Sequence, residues 1–271
     1  MSKEKEYVLG THDEEIARLG LQHRVWRPRA SDAWLRAGFT VGQTLMDVGC
    51  GPGYAAIDLA EIVGPSGKII ALDKSRRFLD ALETTRLQRK LNNITTLEID
   101  LSEGQLPAIT VDGAWSRWIF AFVKNPRRLL TQVAERLRPG GVFVIHEYLD
   151  YSTWRVLPRS LEFEKFVQEV MESWRAEGGE PDIGRELPIW LNELGFELRA
   201  LKPIVDVVSP SNCIWQWPKA FVDVGLQRLV DLGRISPEQS LKVSTAFASR
   251  EASLHSLIVT PVVLEIIAVR Q

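Results

Sequence analysis

A glycine-rich turn preceded by an acid is the most informative segment of this 271-residue chain. It spans Asp47–Gly53 (DVGCGPG) and stands between a predicted strand and a predicted helix. Glycines permit positive φ there and let backbone amides approach a ligand without a Cβ clash. In an open parallel sheet this position, at the carboxyl ends of the strands, is where ligands bind. A pyrophosphate loop would gain nothing from the charge of Asp47, so the turn predicts a ligand with an amine or a positive charge.

Two further acids follow the next two predicted strands. Asp73 ends the second strand, where a carboxylate can accept both hydroxyls of a ribose. Asp100 ends the third strand. Taken singly, each acid is as readily a helix N-cap or a solvated loop residue. Because parallel strands bring their carboxyl ends to one edge of a sheet, the three acids together favour a ligand with a ribose, an exocyclic amine and a positive charge.

The elements that must position these acids alternate between short apolar runs and amphipathic stretches up to residue 145. This alternation is typical of βαβ units in a doubly wound parallel sheet, and therefore of the α/β class. The predicted strands of this part are 44–48, 68–72, 95–99, 113–118 and 142–145, and the predicted helices are 54–63, 75–91 and 125–137. Further on we predict helices over 161–176, 185–194, 217–232 and 237–250, and strands over 196–208 and 256–269.

We predict one domain over residues 1–271, because no Gly/Ser-rich linker divides the chain. Its parts are an N-terminal helical lid (1–40), a ligand-binding core (41–150), helical cap insertions (151–182 and 209–252) and a final strand (256–270).

The composition narrows the class of protein. The chain has 45% hydrophobic and 25% charged residues, which excludes an intrinsically disordered or a collagen-like protein. The net charge of −2 gives no global reason to bind phosphate backbones or an anionic membrane, so neither nucleic acid nor a membrane is expected as a partner. The two cysteines match no metal-ligand spacing, and the N-terminus has no apolar signal-peptide core. We therefore expect a cytoplasmic protein with no metal, as a monomer or a homodimer.

Five segments together resemble the successive motifs of class I S-adenosylmethionine-dependent methyltransferases, within the small-molecule branch of ubiquinone/menaquinone-type enzymes. They are 44–54 (TLMDVGCGPGY), 71–73 (ALD), 99–101 (IDL), 112–123 (DGAWSRWIFAFV) and 137–145 (LRPGGVFVI). The resemblance covers about residues 40–150. It implies S-adenosylmethionine as the cofactor and a Rossmann-like seven-stranded sheet whose last strand is antiparallel, with the helical additions laid over it as a cap.

The resemblance also implies a cofactor site. The glycine turn would lie over the methionine part of the cofactor, with the preceding acid near its amino group. The acid of the second strand would hold the ribose hydroxyls, although glutamate is commoner there than Asp73, and the acid of the third would accept the adenine amine. The implied contacts are Gln22, Asp47, Gly49, Cys50, Gly51, Gly53, Asp73, Lys74, Asp100, Leu101, Ser116 and Arg117. Cys50 is better explained as a small packing residue than as a nucleophile.

Few catalytic side chains are expected, because methyl transfer from a sulfonium mainly requires alignment of acceptor, methyl group and sulfur. A general base helps only where the acceptor must lose a proton. His146, just beyond the predicted fifth strand, is our candidate, since its ordinary pKa near 6.5 suits proton transfer at neutral pH. The alternative is a hydrogen-bonded structural histidine. His12, His23 and His255 have no partner at a recognisable spacing.

The acceptor is expected to be a small, apolar or aromatic molecule. Five of the nine tryptophans lie in residues 151–217, outside the cofactor motifs, where they could line a pocket as readily as pack a core. The proposed acceptor contacts are Tyr7, Trp115, Tyr148 and Trp154. In the lid, Tyr7, Arg18 and Gln22 are candidate contacts to cofactor or acceptor.

Two other functions stay open. A nicotinamide-dependent oxidoreductase shares the strand, glycine turn, helix and ribose acid. Against it stand Asp47, Asp100 and Tyr54, which occupies the position of the last glycine in G-x-G-x-x-G. A non-catalytic protein that binds S-adenosylmethionine would share every cofactor motif, and the sequence does not separate it from an enzyme.

Overall fold

Ten strands form two sheets in the computed structural model, which describes residues 13–271. The strands are β1 (Thr44–Val48), β2 (Lys68–Asp73), β3 (Ile94–Glu98), β4 (Val111–Arg117), β5 (Leu137–Asp150), β6 (Arg155–Leu157), β7 (Phe196–Ile204), β8 (Val207–Val208), β9 (Leu257–Val259) and β10 (Val262–Arg270). The larger sheet has seven strands in the order β3-β2-β1-β4-β5-β10-β7. Strands β1 to β5 run parallel, and β10 is antiparallel to β5 and β7. The predicted α/β sheet with an antiparallel last strand is confirmed.

Within residues 13–271, eight α-helices cover the sheet and build the additions over it. They are α1 (Asp13–Arg36), α2 (Tyr54–Val63), α3 (Arg76–Gln88), α4 (Pro126–Arg136), α5 (Leu161–Ala176), α6 (Leu187–Glu193), α7 (Gln216–Asp231) and α8 (Pro237–Glu251). Within residues 13–271, none of these helices combines the length and apolar character needed to cross a membrane. Helix α1 packs against α7 and against α2, so the N-terminal part of the chain touches both the cap and the core.

The chain order reverses beside β1, which pairs with β2 on one side and β4 on the other. Such a switch point opens a crevice at the carboxyl ends of the strands. The register aligns Asp47 of β1 with Trp115 of β4, and Arg117 of β4 with His146 of β5. The crevice therefore begins with acidic, basic and aromatic residues on three adjacent strands.

Strand β5 is longer than predicted. The sequence predicts a strand over 142–145 with His146 just beyond it, but β5 continues to Asp150. The extension follows from its antiparallel partner, because β10 pairs with β5 as far as Val262 opposite Asp150. His146 and its two successors consequently lie inside a central strand and not in a loop.

A small second sheet in the order β6-β9-β8 was not predicted. It places a strand inside the predicted helical insertion 151–182 and splits both predicted C-terminal strands. The last one breaks at Thr260-Pro261, where proline has no N–H to donate to a ladder. The Thr260 hydroxyl accepts a hydrogen bond from the backbone N–H of Asp206 (3.0 Å), which joins this break to the gap between β7 and β8.

Candidate active site

The turn after β1 has a backbone that only glycine adopts without strain. Gly49, Gly51 and Gly53 have φ of 76°, 53° and 83°. A Cβ on Gly49 would lie 2.8 Å from Cδ1 of Ile119, and one on Gly53 would lie 2.3 Å from Cδ1 of Leu82. Gly51 differs, because the nearest atom to its Cβ would be 4.0 Å away. The middle of the turn is therefore open on the side where a ligand can approach.

The carboxylate of Asp73 is hydrogen-bonded to the backbone of this turn. Its Oδ2 accepts the backbone N–H of Gly51 (2.8 Å), and its Oδ1 accepts the backbone N–H of Ser75 (2.9 Å), the N-cap residue of α3. Burial raises the pKa of Asp73, although these amides oppose the shift. Each carboxylate oxygen keeps a lone pair, so the group can still accept hydrogen bonds from a ligand.

Asp73 also lines one end of the crevice, which we call the edge cleft. This open cleft of about 400 Å³ is lined by Asp73, Lys74, Asp100, Leu101, Ser102, Ile119, Phe122 and Val123. Four predicted cofactor contacts therefore lie together. Asp100 is exposed and stands two residues after the end of β3, where its Oδ1 accepts the backbone N–H of Ser102 (2.9 Å).

The other end of the crevice, which we call the turn cleft, lies between the glycine turn, α1, α7 and the ends of β4 and β5. Its open volume, which includes space open to solvent, is about 800 Å³. Its lining is Glu15, Arg18, Leu19, Gln22, Asp47, Gly49, Cys50, Gly51, Pro52, Tyr54, Ala55, Trp115, Arg117, Trp118, Phe122, Tyr148, Trp174 and Phe221. Phe122 belongs to both clefts, so the two adjoin.

Asp47 is a buried acid of the turn cleft, beside the glycine turn. Burial raises its pKa to about 7, against the attraction of Arg117, and the charge of Asp73 adds to the rise. Its Oδ2 is buried and has no hydrogen-bond partner among the described residues. A buried oxygen of this kind costs free energy unless a ligand donates to it. The predicted contact with a cationic amino group fits this unpartnered oxygen.

Arg117 supplies the opposite charge in the same cleft. Burial lowers its pKa to about 10, although Asp47 opposes the shift. Its guanidinium carbon lies 5.3 Å from the ring centre of Trp118 and 6.0 Å from that of Trp115. Its Nη1 is buried without a hydrogen-bond partner in residues 13–271, and its Nη2 lies 3.3 Å from Nδ1 of His23. The arginine therefore has donors to spare for an anionic group.

Helix α1 closes the turn cleft with a chain of buried polar groups. Arg18 makes two 2.7 Å bonds to the Glu15 carboxylate, and its Nη1 donates to Oε1 of Gln22 (3.1 Å). Gln22 thus lines the cleft, and its contact with a ligand stays a prediction. Tyr7, a predicted acceptor contact, lies outside the described residues.

Aromatic rings form the apolar wall of the turn cleft. Trp118 lies between Tyr148, at a centroid distance of 5.3 Å and an interplanar angle of 15°, and Trp217, at 5.4 Å and 9°. Trp118 has a φ of 52°, an unfavourable value for a residue with a Cβ. Its backbone N–H donates to the carbonyl of His146 (3.0 Å), which holds this conformation at the end of β4. The predicted acceptor contacts Trp115 and Tyr148 both lie in this wall.

His146 has a different environment from the one expected. It is fully buried behind the cleft, its Nε2 lies 3.1 Å from Oε2 of Glu265, and Glu265 accepts a 2.5 Å bond from Arg36. Its ring packs edge-on against Trp115 at 5.0 Å. Burial lowers the pKa of His146. His146 is not among the residues that line the cleft, so its role as a base stays a prediction without support from its position.

Three other predicted residues differ in their surroundings. Ser116 is fully buried and lines neither cleft, and its Oγ has no partner within the described part of the chain. Cys50 lines the turn cleft, and burial raises the pKa of its thiol, which agrees with a packing role. Trp154 lies in the cap, edge-on to Tyr151 (5.8 Å) and Phe163 (5.1 Å), so packing accounts for its burial.

Sequence reasoning missed several cleft residues and one polar contact. The missed lining residues include Glu15, Trp118, Phe122 and Phe221, whereas Trp174 is one of the five tryptophans that the sequence offered as pocket or core residues. Trp118 and Phe122 lie within the quoted motif 112–123 and could have been found there, but Phe221 on α7 had no spacing to mark it. His23, which has no partner at a recognisable spacing in the sequence, has one in the fold, because its Nε2 lies 3.1 Å from Oδ2 of Asp58. Those residues are 35 positions apart, and only the packing of α1 on α2 brings them together.

Comparison with known proteins identifies the core. The family described as "Methyltransferase domain" matches residues 46–145. A demethylmenaquinone methyltransferase of Lactococcus lactis subsp. lactis is 29% identical over 157 residues, covering 55% of this chain and 57% of that protein. For other curated relatives the match spans 51% and 25% of their length.

Solved structures share the fold over more of the chain. The [4+2]-cyclase SpnF has a TM-score of 0.57 and 19% identity, covering 89% of this chain and 80% of that one. Coclaurine N-methyltransferase, solved with N-methylheliamine and SAH, has a TM-score of 0.54 and 16% identity, covering 88% and 70%. At these identities the likeness concerns the fold alone. The matched domain and the curated relative agree with the family that the ordered motifs resemble. Residues 46–145 thus match a methyltransferase domain, within a chain that resembles the class I S-adenosylmethionine-dependent methyltransferases.

Proposed function

We propose that this protein transfers a methyl group from S-adenosylmethionine to a small, apolar or aromatic acceptor. The observation that carries the proposal is the unpartnered, buried Oδ2 of Asp47 beside the glycine turn. It lies in a crevice whose other end is lined by Asp73 and Asp100. This arrangement supports a ligand that has a cationic amino group at one end and an adenosine at the other.

The charges of the turn cleft suit the amino-acid end of the cofactor. Asp47 and Arg117 face one cleft, yet they form no ion pair with each other, and each keeps a buried atom without a partner in residues 13–271. We assign the ammonium to Asp47 and the carboxylate to Arg117. At the other end, Asp73 would accept the ribose hydroxyls, and Asp100 would accept the adenine amine beside Leu101 and Lys74.

The aromatic wall supports the class of acceptor. Trp118, Tyr148, Trp174 and Phe221 line the turn cleft, which also holds the predicted methionine end. Such surfaces favour planar, apolar molecules and exclude water. The bound cofactor supplies an already activated methyl group, so these residues need only hold the acceptor in line and keep water away.

We also propose that the chain works as one methyltransferase domain. Helix α1 would form the lid that is predicted for residues 1–40, because its residues Arg18 and Gln22 line the turn cleft. The insertions 151–182 and 209–252 would form the acceptor wall, since they supply Trp174 and Phe221. The core 41–150 would hold the cofactor, and residues 256–270 would complete the sheet.

Calorimetric titration tests the cofactor first. We expect binding of S-adenosylhomocysteine (SAH) and none of NADH. Binding of NADH without SAH would instead favour a nicotinamide-dependent oxidoreductase. A screen of phenols, quinones, amines and carboxylic acids with S-adenosylmethionine, read by mass spectrometry, then tests transfer. If SAH binds but no acceptor gains a methyl group, the non-catalytic binding protein becomes the better account.

A further inference from the structure

A buried histidine on α1 connects α2 with the charged end of the turn cleft. The Nε2 of His23 lies 3.1 Å from Oδ2 of Asp58, and its Nδ1 lies 3.3 Å from Nη2 of Arg117. The side chain of His23 is only 7% exposed. Asp58 belongs to α2 and Arg117 ends β4, so one imidazole joins three elements around the cleft.

The two contacts fix the protonation of the ring. A guanidinium has only donors, so Nδ1 of His23 must accept the hydrogen bond from Arg117. A carboxylate has only acceptors, so Nε2 must carry the hydrogen that is donated to Asp58. Only the neutral tautomer with hydrogen on Nε2 satisfies both contacts. Burial lowers the pKa of His23, which agrees with a neutral ring.

Neighbouring groups keep this ring in place. Asp58 is also bonded to Nε of Arg27 (2.7 Å), so its carboxylate is fixed from two sides. The ring of His23 stacks on Tyr54 at 5.8 Å and 22°. The hydroxyl of Tyr54 donates to the carbonyl of Ile16 (3.0 Å), which joins it to the same helix that carries His23.

Arg117 depends on this contact for its direction. Within residues 13–271, the guanidinium of Arg117 makes its hydrogen bond to His23. Its contacts with Trp115 and Trp118 are to the aromatic rings. Without His23 the guanidinium could turn toward Asp47, because opposite charges in a buried cleft attract strongly. A pair between Arg117 and Asp47 would occupy both groups that are proposed to bind the amino-acid end of the cofactor.

We propose that His23 is a positioning residue, which holds Arg117 toward the carboxylate of the cofactor and away from Asp47. This role rests on the proposed function, because it assumes that Arg117 binds the amino-acid end of S-adenosylmethionine. It assigns a task in cofactor binding to a residue of the lid that does not itself line the cleft.

Two amide variants separate the contacts of His23. In His23→Asn the amide lies near the position of Nδ1, so an oxygen can still accept from Arg117 while the bond to Asp58 is lost. In His23→Gln the amide reaches the position of Nε2, so it can still donate to Asp58 while the acceptor for Arg117 is lost. His255→Asn, at an exposed histidine, is the matched control.

SAH affinity and melting temperature are measured for the full-length wild type and the three variants. For His23→Gln we expect SAH affinity to fall about ten- to 150-fold, as for one hydrogen bond to a charged group, with a melting temperature close to the wild type. For His23→Asn we expect affinity within about twofold of the wild type and a lower melting temperature. A long-range ¹⁵N spectrum should show the wild-type ring protonated on Nε2.

The role is overturned if His23→Gln binds SAH as tightly as the wild type, or if affinity falls in step with melting temperature in both variants. A ring protonated on Nδ1 would also overturn it. A wild type that binds no SAH at all contradicts the proposed function itself, and the role of His23 with it. The two failures are therefore distinct, because the first occurs in a protein that binds SAH.

Discussion

The backbone N–H of Gly51 donates to Oδ2 of Asp73 over 2.8 Å, so the turn that follows β1 is joined to the acid that ends β2. The bond brings the two most diagnostic sequence features into direct contact. It also orients the Asp73 carboxylate, because its other oxygen accepts the N–H of Ser75 at the start of α3. A ligand that bridges the turn and the edge cleft would meet a preformed site.

Replacing Asp73 with alanine should therefore weaken cofactor binding. The variant loses charge-assisted hydrogen bonds to the ligand and the acceptor that holds Gly51, which together cost on the order of 1–3 kcal/mol of SAH binding free energy. Isothermal titration calorimetry gives the affinity, and circular dichroism checks the fold. Asp80→Ala, at an exposed acid of α3, is the control. An unchanged affinity in folded Asp73→Ala would remove the ribose assignment.

Asp47 should make SAH binding depend on pH. Its pKa is raised to about 7, so below that pH the group is mostly neutral and must lose a proton before it can pair with an ammonium. We expect affinity to rise as pH increases from 6 to 7.5, with a limit of about tenfold per pH unit. Asp47→Asn should bind SAH weakly and lose this part of the pH dependence. Asp32→Asn, at a half-exposed acid, should keep the wild-type profile. A wild-type affinity independent of pH would contradict the assignment.

The cofactor side of the site could be predicted because its signals are local. The residues of Asp47–Gly53 are adjacent in sequence, and Asp73 and Asp100 follow strands that the apolar pattern marks clearly. Parallel topology then brings the three acids to one edge without any further information. The edge cleft accordingly contains all four residues that were expected at the adenosine end.

The residues proposed to face the acceptor could not be predicted in the same way, because they come together only through tertiary packing. Trp174 on α5 and Phe221 on α7 face the cleft through the arrangement of the cap, which no spacing records. The burial of His146 follows from pairing between β5 and β10, strands far apart in sequence. The contact between His23 and Asp58 could not be predicted for a similar reason. It depends on how α1 crosses α2, which the sequence does not specify.

Glu147 should make the stability of the protein depend on pH. Burial raises its pKa to about 8, even though its carboxylate accepts the backbone N–H groups of Phe120 (2.9 Å) and Tyr148 (3.0 Å). Because the folded-state pKa lies above the ordinary value, the associated stability is present at acid pH and is lost as pH rises through about 8. We expect the free energy of unfolding to fall between pH 5 and pH 9.

Denaturant unfolding at several pH values measures this effect. Glu147→Gln cannot ionise, so its unfolding free energy should depend less on pH than that of the wild type. Glu103→Gln, at an exposed glutamate, should follow the wild-type curve. If Glu147→Gln keeps the full slope between pH 5 and pH 9, another group is responsible for it.

Gly49 and Gly51 should respond differently to alanine, although both have positive φ. At Gly49 the new Cβ would lie 2.8 Å from two carbons of Ile119, so the variant combines backbone strain with a clash. We expect its free energy of unfolding to fall by about 2–5 kcal/mol, with about 1–3 kcal/mol from the clash and about 1–2 kcal/mol from the backbone. At Gly51 the new methyl group meets open space, so only the backbone cost of about 1–2 kcal/mol applies to stability.

The methyl group of Gly51→Ala would, however, stand in the turn cleft where the cofactor is proposed to lie. SAH affinity, measured under conditions where both variants are folded, should therefore fall at least as much in Gly51→Ala as in the less stable Gly49→Ala. Full SAH affinity in folded Gly51→Ala would mean that the ligand does not approach the middle of the turn.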